Sequence, residues 1–189
     1  MSQIYRMKLN DQAKLFNYEE KILSRYGQDL LLPLSIVRDE SGEYIDYVID
    51  GYVPFERYTF VGLGSVFSVL KSLVEFYISI QRHFLDSSRF FSEKEKILIC
   101  YKSGRAIPLF GKARSAFDTE NIELQNDEEA NLILPLVVEL SKLNGVVCAK
   151  DAMESIYNKI RGTNPGLKDI LRIVRDTQRE WSLILPTGF

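Results

Sequence analysis

The sequence is poor in the residues from which most enzyme sites are built. Its 189 residues include one histidine, His83, two cysteines and eleven glycines. A single imidazole excludes every site that needs two, from His-x-x-x-His zinc sites to two-histidine facial triads. A Ser-His-Asp or Cys-His arrangement has only His83 to draw on. Its neighbours Gln81, Arg82, Phe84 and Leu85 close a strongly apolar run, which predicts a packed or helix-terminal ring. Cys100 and Cys148 show no Cys-x-x-Cys spacing, and each follows apolar residues. Both are read as small buried hydrophobes of a reducing compartment. Charge of one sign is lacking too: 24 basic against 26 acidic residues leave a net charge of −2, so overall charge supplies no attraction to nucleic acid. No G-x-x-x-x-G-K-[ST], G-x-S-x-G or H-E-x-x-H is present. Gly62-Leu63-Gly64 opens a helix, but the third glycine of a dinucleotide fingerprint falls at Phe67. No cofactor and no metal are expected. The longest apolar run, Val61 to Ile80, is interrupted by Lys71 and Glu75, and the first residues carry no secretory pattern. The chain is expected to be soluble and cytoplasmic.

What is present is an ordinary globular composition, 46% hydrophobic and 26% charged. A chain of this length buries roughly 70% of its unfolded surface and folds without a disulfide or metal. One α+β domain is expected, with a small β-rich N-terminal part over 1–60. A mainly helical part over 61–189 would carry one β-hairpin near 97–110.

Residues 1–26 predict a strand and a short helix from Tyr18 to Ser24. Residues 30–53 predict a hairpin, with Leu30 to Arg38 and Tyr44 to Ile49 flanking the turn Asp39-Glu40-Ser41-Gly42-Glu43. The helical spacing of Val66, Val69, Leu70, Leu73, Val74, Tyr77, Ile80 and Phe84 predicts a central helix over 64–85. Ile97 to Tyr101 and Ala106 to Phe110 flank Lys102-Ser103-Gly104-Arg105, a second hairpin. Three helices follow: 129–143, kinked or split by Pro135; 149–160; and a last one capped by Asn164 with Pro165 in first position.

The near-zero net charge is segregated. Asp118, Glu120, Glu123, Asp127, Glu128 and Glu129 crowd one segment without a lysine or arginine. On the last helix Lys168, Arg172, Arg175 and Arg179 share a stripe, beside Asp169, Asp176 and Glu180. A solvated acidic loop and an exposed helix face are the ordinary readings. Docking surfaces formed by Asp118, Glu120 and Glu123, and by the basic stripe, are the sharper ones.

Residues 44–111 run strand, long helix, polar loop, β-hairpin, then Leu109-Phe110-Gly111. That order resembles the middle of a protein kinase, where a helix leads to His-Arg-Asp and a hairpin ends in Asp-Phe-Gly. In this comparison His83-Phe84-Leu85-Asp86 lies at His-Arg-Asp and Leu109 replaces the metal-binding aspartate. Asp86, Leu109, Phe110 and Gly111 would then be vestigial positions with no catalytic role. The chain from Tyr18 to Trp181 is similar to the degenerate kinase-like cytoplasmic domain of the EssB/YukC family of type VII secretion. It also resembles a related domain that precedes forkhead-associated domains in Gram-positive bacteria. The stretches carrying this are Leu30-Leu31-Leu32-Pro33, Tyr44 to Asp50, Phe84-Leu85-Asp86, Ile97 to Phe110 and Gly166-Leu167-Lys168-Asp169-Ile170-Leu171. The resemblance implies a pseudokinase-like, non-catalytic scaffold. Its partners would be other protein components of a secretion complex, or a second copy of the chain. Its place would be the cytoplasm, at the inner face of the cell membrane, with membrane contact only indirect. The alternatives are an atypical nucleotide-dependent phosphotransferase and a peripheral adaptor that uses the basic helix.

Overall fold

The computed structural model describes residues 2–10, 13–113 and 125–184. The chain opens with strand β1 (Ile4–Leu9), helix α1 (Asn17–Leu30) and strands β2 (Leu34–Asp39) and β3 (Gly42–Val48). These strands form an antiparallel sheet in the order β1-β3-β2. Alternation decides its faces: Met7, Leu9, Ile45 and Tyr47 are buried, while Ile4, Arg6 and Lys8 on the other face of β1 are exposed. Asp39 accepts hydrogen bonds from the Ser41 amide and hydroxyl, and Gly42 takes φ +139°. The expected turn therefore stands. Its first strand starts at Leu34 rather than Leu30, because α1 is twice as long as the Tyr18–Ser24 helix read from the sequence. The expected helix of this N-terminal part is thus present but longer; burial of Glu19 and Leu23 anchors its 14 residues.

Strand β4 (Tyr52–Pro54) leaves this sheet and pairs with β5 (Ile97–Cys100), which pairs with β6 (Ala106–Pro108). Pro54 is the last residue of β4, where its missing amide costs no ladder bond. At the hairpin tip Gly104 has φ +70°, and a Cβ there would lie 3.3 Å from both Ser68 Oγ and Tyr58 Oη.

Helix α2 (Leu63–Arg82) is the spine of the fold. Ten of its residues are buried, from Leu63 to Ile80. Among the described residues it is the one helix long and apolar enough to cross a membrane, with mean hydropathy 1.5. Here that apolar surface is spent on packing. Hairpin β5–β6, helix α3 (Gln125–Ser141) and helix α5 (Leu167–Ile184) all contact it. Ser72 Oγ accepts from the Ala106 amide, tying the hairpin to the helix. Helix α4 (Ala149–Thr163) covers α3 and α5 from outside.

Pro135 sits inside a continuous α3 and does not split it. Asn164 is not the N-cap of the last helix: α4 runs to Thr163, and Asn164 closes it in left-handed conformation (φ 43°, ψ 60°), its amide bonded to Ile160 O. The start of α5 is capped from another helix. Glu129 of α3 accepts the Leu167 amide at 2.8 Å with one oxygen and the Gln81 side chain of α2 at 2.6 Å with the other. That interhelical contact takes the role assigned to Asn164. One contiguous core runs from Met7 to Val174.

Candidate functional site

The segment that resembles a kinase metal site, Leu109-Phe110-Gly111, lies inside the core. Leu109 is 1% exposed and Phe110 fully buried. Three elements hold it. Tyr47 of β3 donates its hydroxyl to the Phe110 carbonyl (2.9 Å) and accepts the Phe110 amide (3.1 Å); its burial drives the phenol well above its ordinary pKa. Gly111 has φ +123°, and a Cβ there would lie 2.6 Å from Met7 and 2.7 Å from Leu9 of β1. The third element is the chain that follows α2.

That chain contacts the segment through Arg89, Phe90 and Phe91 rather than through Asp86. Phe90 bridges Phe110 antiparallel, and the Phe91 amide donates to Leu109 O at 3.0 Å. The Gly111 and Lys112 amides both donate to Arg89 O at 2.9 Å. The rings of Phe76, Phe90 and Phe110 meet edge to face at 5.1–5.2 Å. The Arg89 side chain is fully buried. Its guanidinium donates to Glu19 of α1 (3.0 Å), to Lys112 O (2.6 Å) and to Ala13 O (2.9 Å), and lies 4.9 Å over the Phe110 ring. Glu19, also fully buried, accepts the Phe16 amide as well. This is a charge-assisted clamp that joins α1, the loop after α2 and the segment after β6.

Asp86 is exposed and accepts the Ser88 amide at 2.8 Å, capping the short helical turn Ser87–Arg89. The kinase comparison aligned Asp86 with the aspartate of His-Arg-Asp; in the structure its carboxylate is engaged in this local cap. His83 ends α2, as its place in the sequence suggested, with Nδ1 2.8 Å from Ser79 O. Gly62 and Gly64 leave open space around a built Cβ, and 58–61 is not a strand, so the context of a dinucleotide loop is missing. Both cysteines are half-buried rather than buried. Burial alone raises the Cys100 thiol, but the Ser103 hydroxyl and the Ser103 and Lys102 amides outweigh it and hold it below its ordinary pKa. Among the described residues no group of three histidine, cysteine or carboxylate side chains converges as a metal site.

The basic stripe of α5 is present but partnered. Arg172 pairs with Asp169 (2.8 Å), Arg179 with Asp176 (3.6 Å), and Arg175 crosses to Glu75 of α2 (3.1 Å). Lys168 is exposed on the same stripe. Two of the four bases thus pair with acids of α5 itself and a third with α2, while Glu180 of the acidic stripe pairs with Lys159 of α4. Asp118, Glu120 and Glu123 lie outside the described residues. Arg89, Glu19 and Tyr47 were missed by sequence reasoning; their only signal is a charged or hydroxyl side chain in an apolar setting, Arg89 before Phe90-Phe91 above all.

No protein-family model matches the sequence, and no curated protein is significantly similar to it.

Proposed function

We propose that this chain is a non-catalytic, kinase-like protein-interaction scaffold that works beside a bacterial type VII secretion apparatus. The observation that carries the reading is the burial of Leu109. In a kinase this position is an aspartate that must reach solvent-borne Mg²⁺ and nucleotide phosphates. Here an apolar side chain is closed into the core by the Tyr47 and Arg89 clamps. Asp86, the other carboxylate of the comparison, is engaged in a local cap. The fold then serves as a rigid platform whose exposed helices α3, α4 and α5 meet other proteins. The paired charges of α5 suit a protein face better than a field for anions.

The test is thermal unfolding with ATP and Mg²⁺. A ligand at a hundredfold over its dissociation constant stabilises by about 2.7 kcal/mol, a shift of several degrees for a chain of this size. No shift is expected; a metal-dependent rise refutes the scaffold reading in favour of a phosphotransferase. The secretion link is tested by affinity isolation from a Gram-positive host carrying such a system. Recovery of its components is expected to fall when Arg172 and Arg175 are both reversed to Glu, and unchanged recovery removes the α5 stripe as the docking face.

A further inference from the structure

The most unusual residue on the surface is Phe84. It follows α2 with φ +57° and is 85% exposed. The Phe84 amide bonds Gln81 O and the Leu85 amide bonds Ile80 O, while Leu85 turns inward. This is the hydrogen-bond pattern of a Schellman close, whose left-handed position is ordinarily glycine. An aromatic residue there is disfavoured twice, once by its backbone and once by its hydrated ring. Among the described residues no ring contact with Phe84 offsets either cost, and the residue stays largely in solvent. The two hydrogen bonds hold the ring rigidly outward, as a preorganised contact residue requires.

The same chain carries a fitting recess. Val137, Val138, Ser141, Met153, Glu154 and Tyr157 line an apolar groove of about 160 Å³ between α3 and α4. A dry apolar cavity of about 150 Å³ admits benzene, so the groove has the size of a phenyl ring. Charge agrees as well. Arg82, two residues before Phe84, is exposed and has no carboxylate within 4.0 Å among the described residues, while Glu154 stands half-exposed at the groove with Lys150 of its own helix 3.9 Å away.

We propose that a second copy of this chain is the occupant: Phe84 of one copy enters the α3–α4 groove of another, with Arg82 facing Glu154. This contact goes beyond the scaffold reading and does not depend on it.

Sedimentation velocity of the wild-type chain tests it at about 100 µM, where a dissociation constant near 10 µM leaves most copies associated. Association is expected. Phe84→Gly is expected to abolish association at that concentration and, because glycine suits the backbone there, to raise the unfolding midpoint by about 2–4 °C. A merely structural Phe84 would not couple a more stable fold to lost association. Val138→Trp, which fills the groove, is expected to be monomeric alone and to associate again when mixed with Phe84→Gly. Arg82→Glu is expected to weaken association at least tenfold, and adding Glu154→Arg to restore it; this pair keeps the test alive should the tryptophan variant fail to fold. A wild-type chain that stays monomeric overturns the proposal. So does a Phe84→Gly variant that associates undiminished, or a monomeric chain that binds anionic phospholipid vesicles through Phe84.

Discussion

Replacing Arg89 by methionine is the sharpest probe of how this fold is held together. Arg89 and Glu19 are both fully buried, and the guanidinium serves three acceptors on three segments: Glu19 Oε1, Lys112 O and Ala13 O. Removing it takes the Arg89 charge from a buried carboxylate that still accepts the Phe16 amide. It also leaves two carbonyls without this donor and strips the cation from the Phe110 face. Breaking a buried pair from one side costs about 3–5 kcal/mol, a large share of the roughly 5–15 kcal/mol that holds a domain folded. With a urea slope of about 2 kcal/mol/M, a loss of about 4 kcal/mol lowers the midpoint by about 2 M. Glu19→Leu alone is expected to cost a similar amount, by removing the carboxylate to which the buried guanidinium donates. The double variant removes both charges and is expected to be more stable than the sum of the singles predicts, by at least 1 kcal/mol. Arg89→Lys should still lose about 2 kcal/mol, because one ammonium cannot span three acceptors in the planar geometry of the fork. The assay is urea unfolding followed by far-ultraviolet circular dichroism, with slopes checked for constancy. A loss below 1 kcal/mol for Arg89→Met, or strict additivity in the double variant, would refute the clamp.

Gly111→Ala is expected to destabilise by about 1–3 kcal/mol: the methionine and leucine tips can shift, but φ +123° remains strained for any L side chain. Thermal unfolding reads it, and an unchanged midpoint contradicts the geometry. Tyr77 buries its hydroxyl without a hydrogen-bond partner among the described residues, so Tyr77→Phe is expected to leave stability equal or raise it by about 1 kcal/mol; a loss above that would show an acceptor at the hydroxyl. Asp46 is held below the usual carboxylate range by its hydrogen bond from Arg6, and Glu139 by its bonds from Lys142 and Lys94. A depressed folded value contributes stability that is complete above the unfolded value near 4 and is lost as pH falls through the folded one. Urea midpoints are therefore expected to be flat from about pH 5 to 7 and to drop below about pH 4, less steeply in Asp46→Asn. A midpoint that rises on acidification contradicts these pairings.

Much of the architecture follows from patterns a reader of the sequence can apply locally. The spacing from Val66 to Ile80 marks α2, and Ser103-Gly104 between two apolar runs marks the β5–β6 hairpin, because an apolar face repeats at 3.6 residues in a helix and a turn signal separates two short strands. The same rule underestimates α1. Its residues 17–30 are polar on balance, and the burial that sustains the helix, at Glu19 and Leu23, is conferred by contacts with distant segments. Asn164 shows the opposite error: it satisfies the composition of an N-cap, yet a left-handed residue closing α4 fits it equally, and the cap of α5 comes from Glu129, 38 positions away.

The sequence by itself determined the class of fold: an α+β chain of near-neutral charge, a central apolar helix, two hairpins, a helical second half and no residues for a two-histidine site. These depend on composition and on neighbours within a few positions. The tertiary structure alone decided which polar groups matter. It carried Arg89 to Glu19, Tyr47 to Phe110 and Glu129 to Leu167, and it left Phe84 outside. Such pairings are set by how elements pack across dozens of residues, and no local spacing encodes them. Charge on α5 makes the same point, since a stripe of four bases in sequence becomes three ion pairs once Glu75, Asp169 and Asp176 are in place.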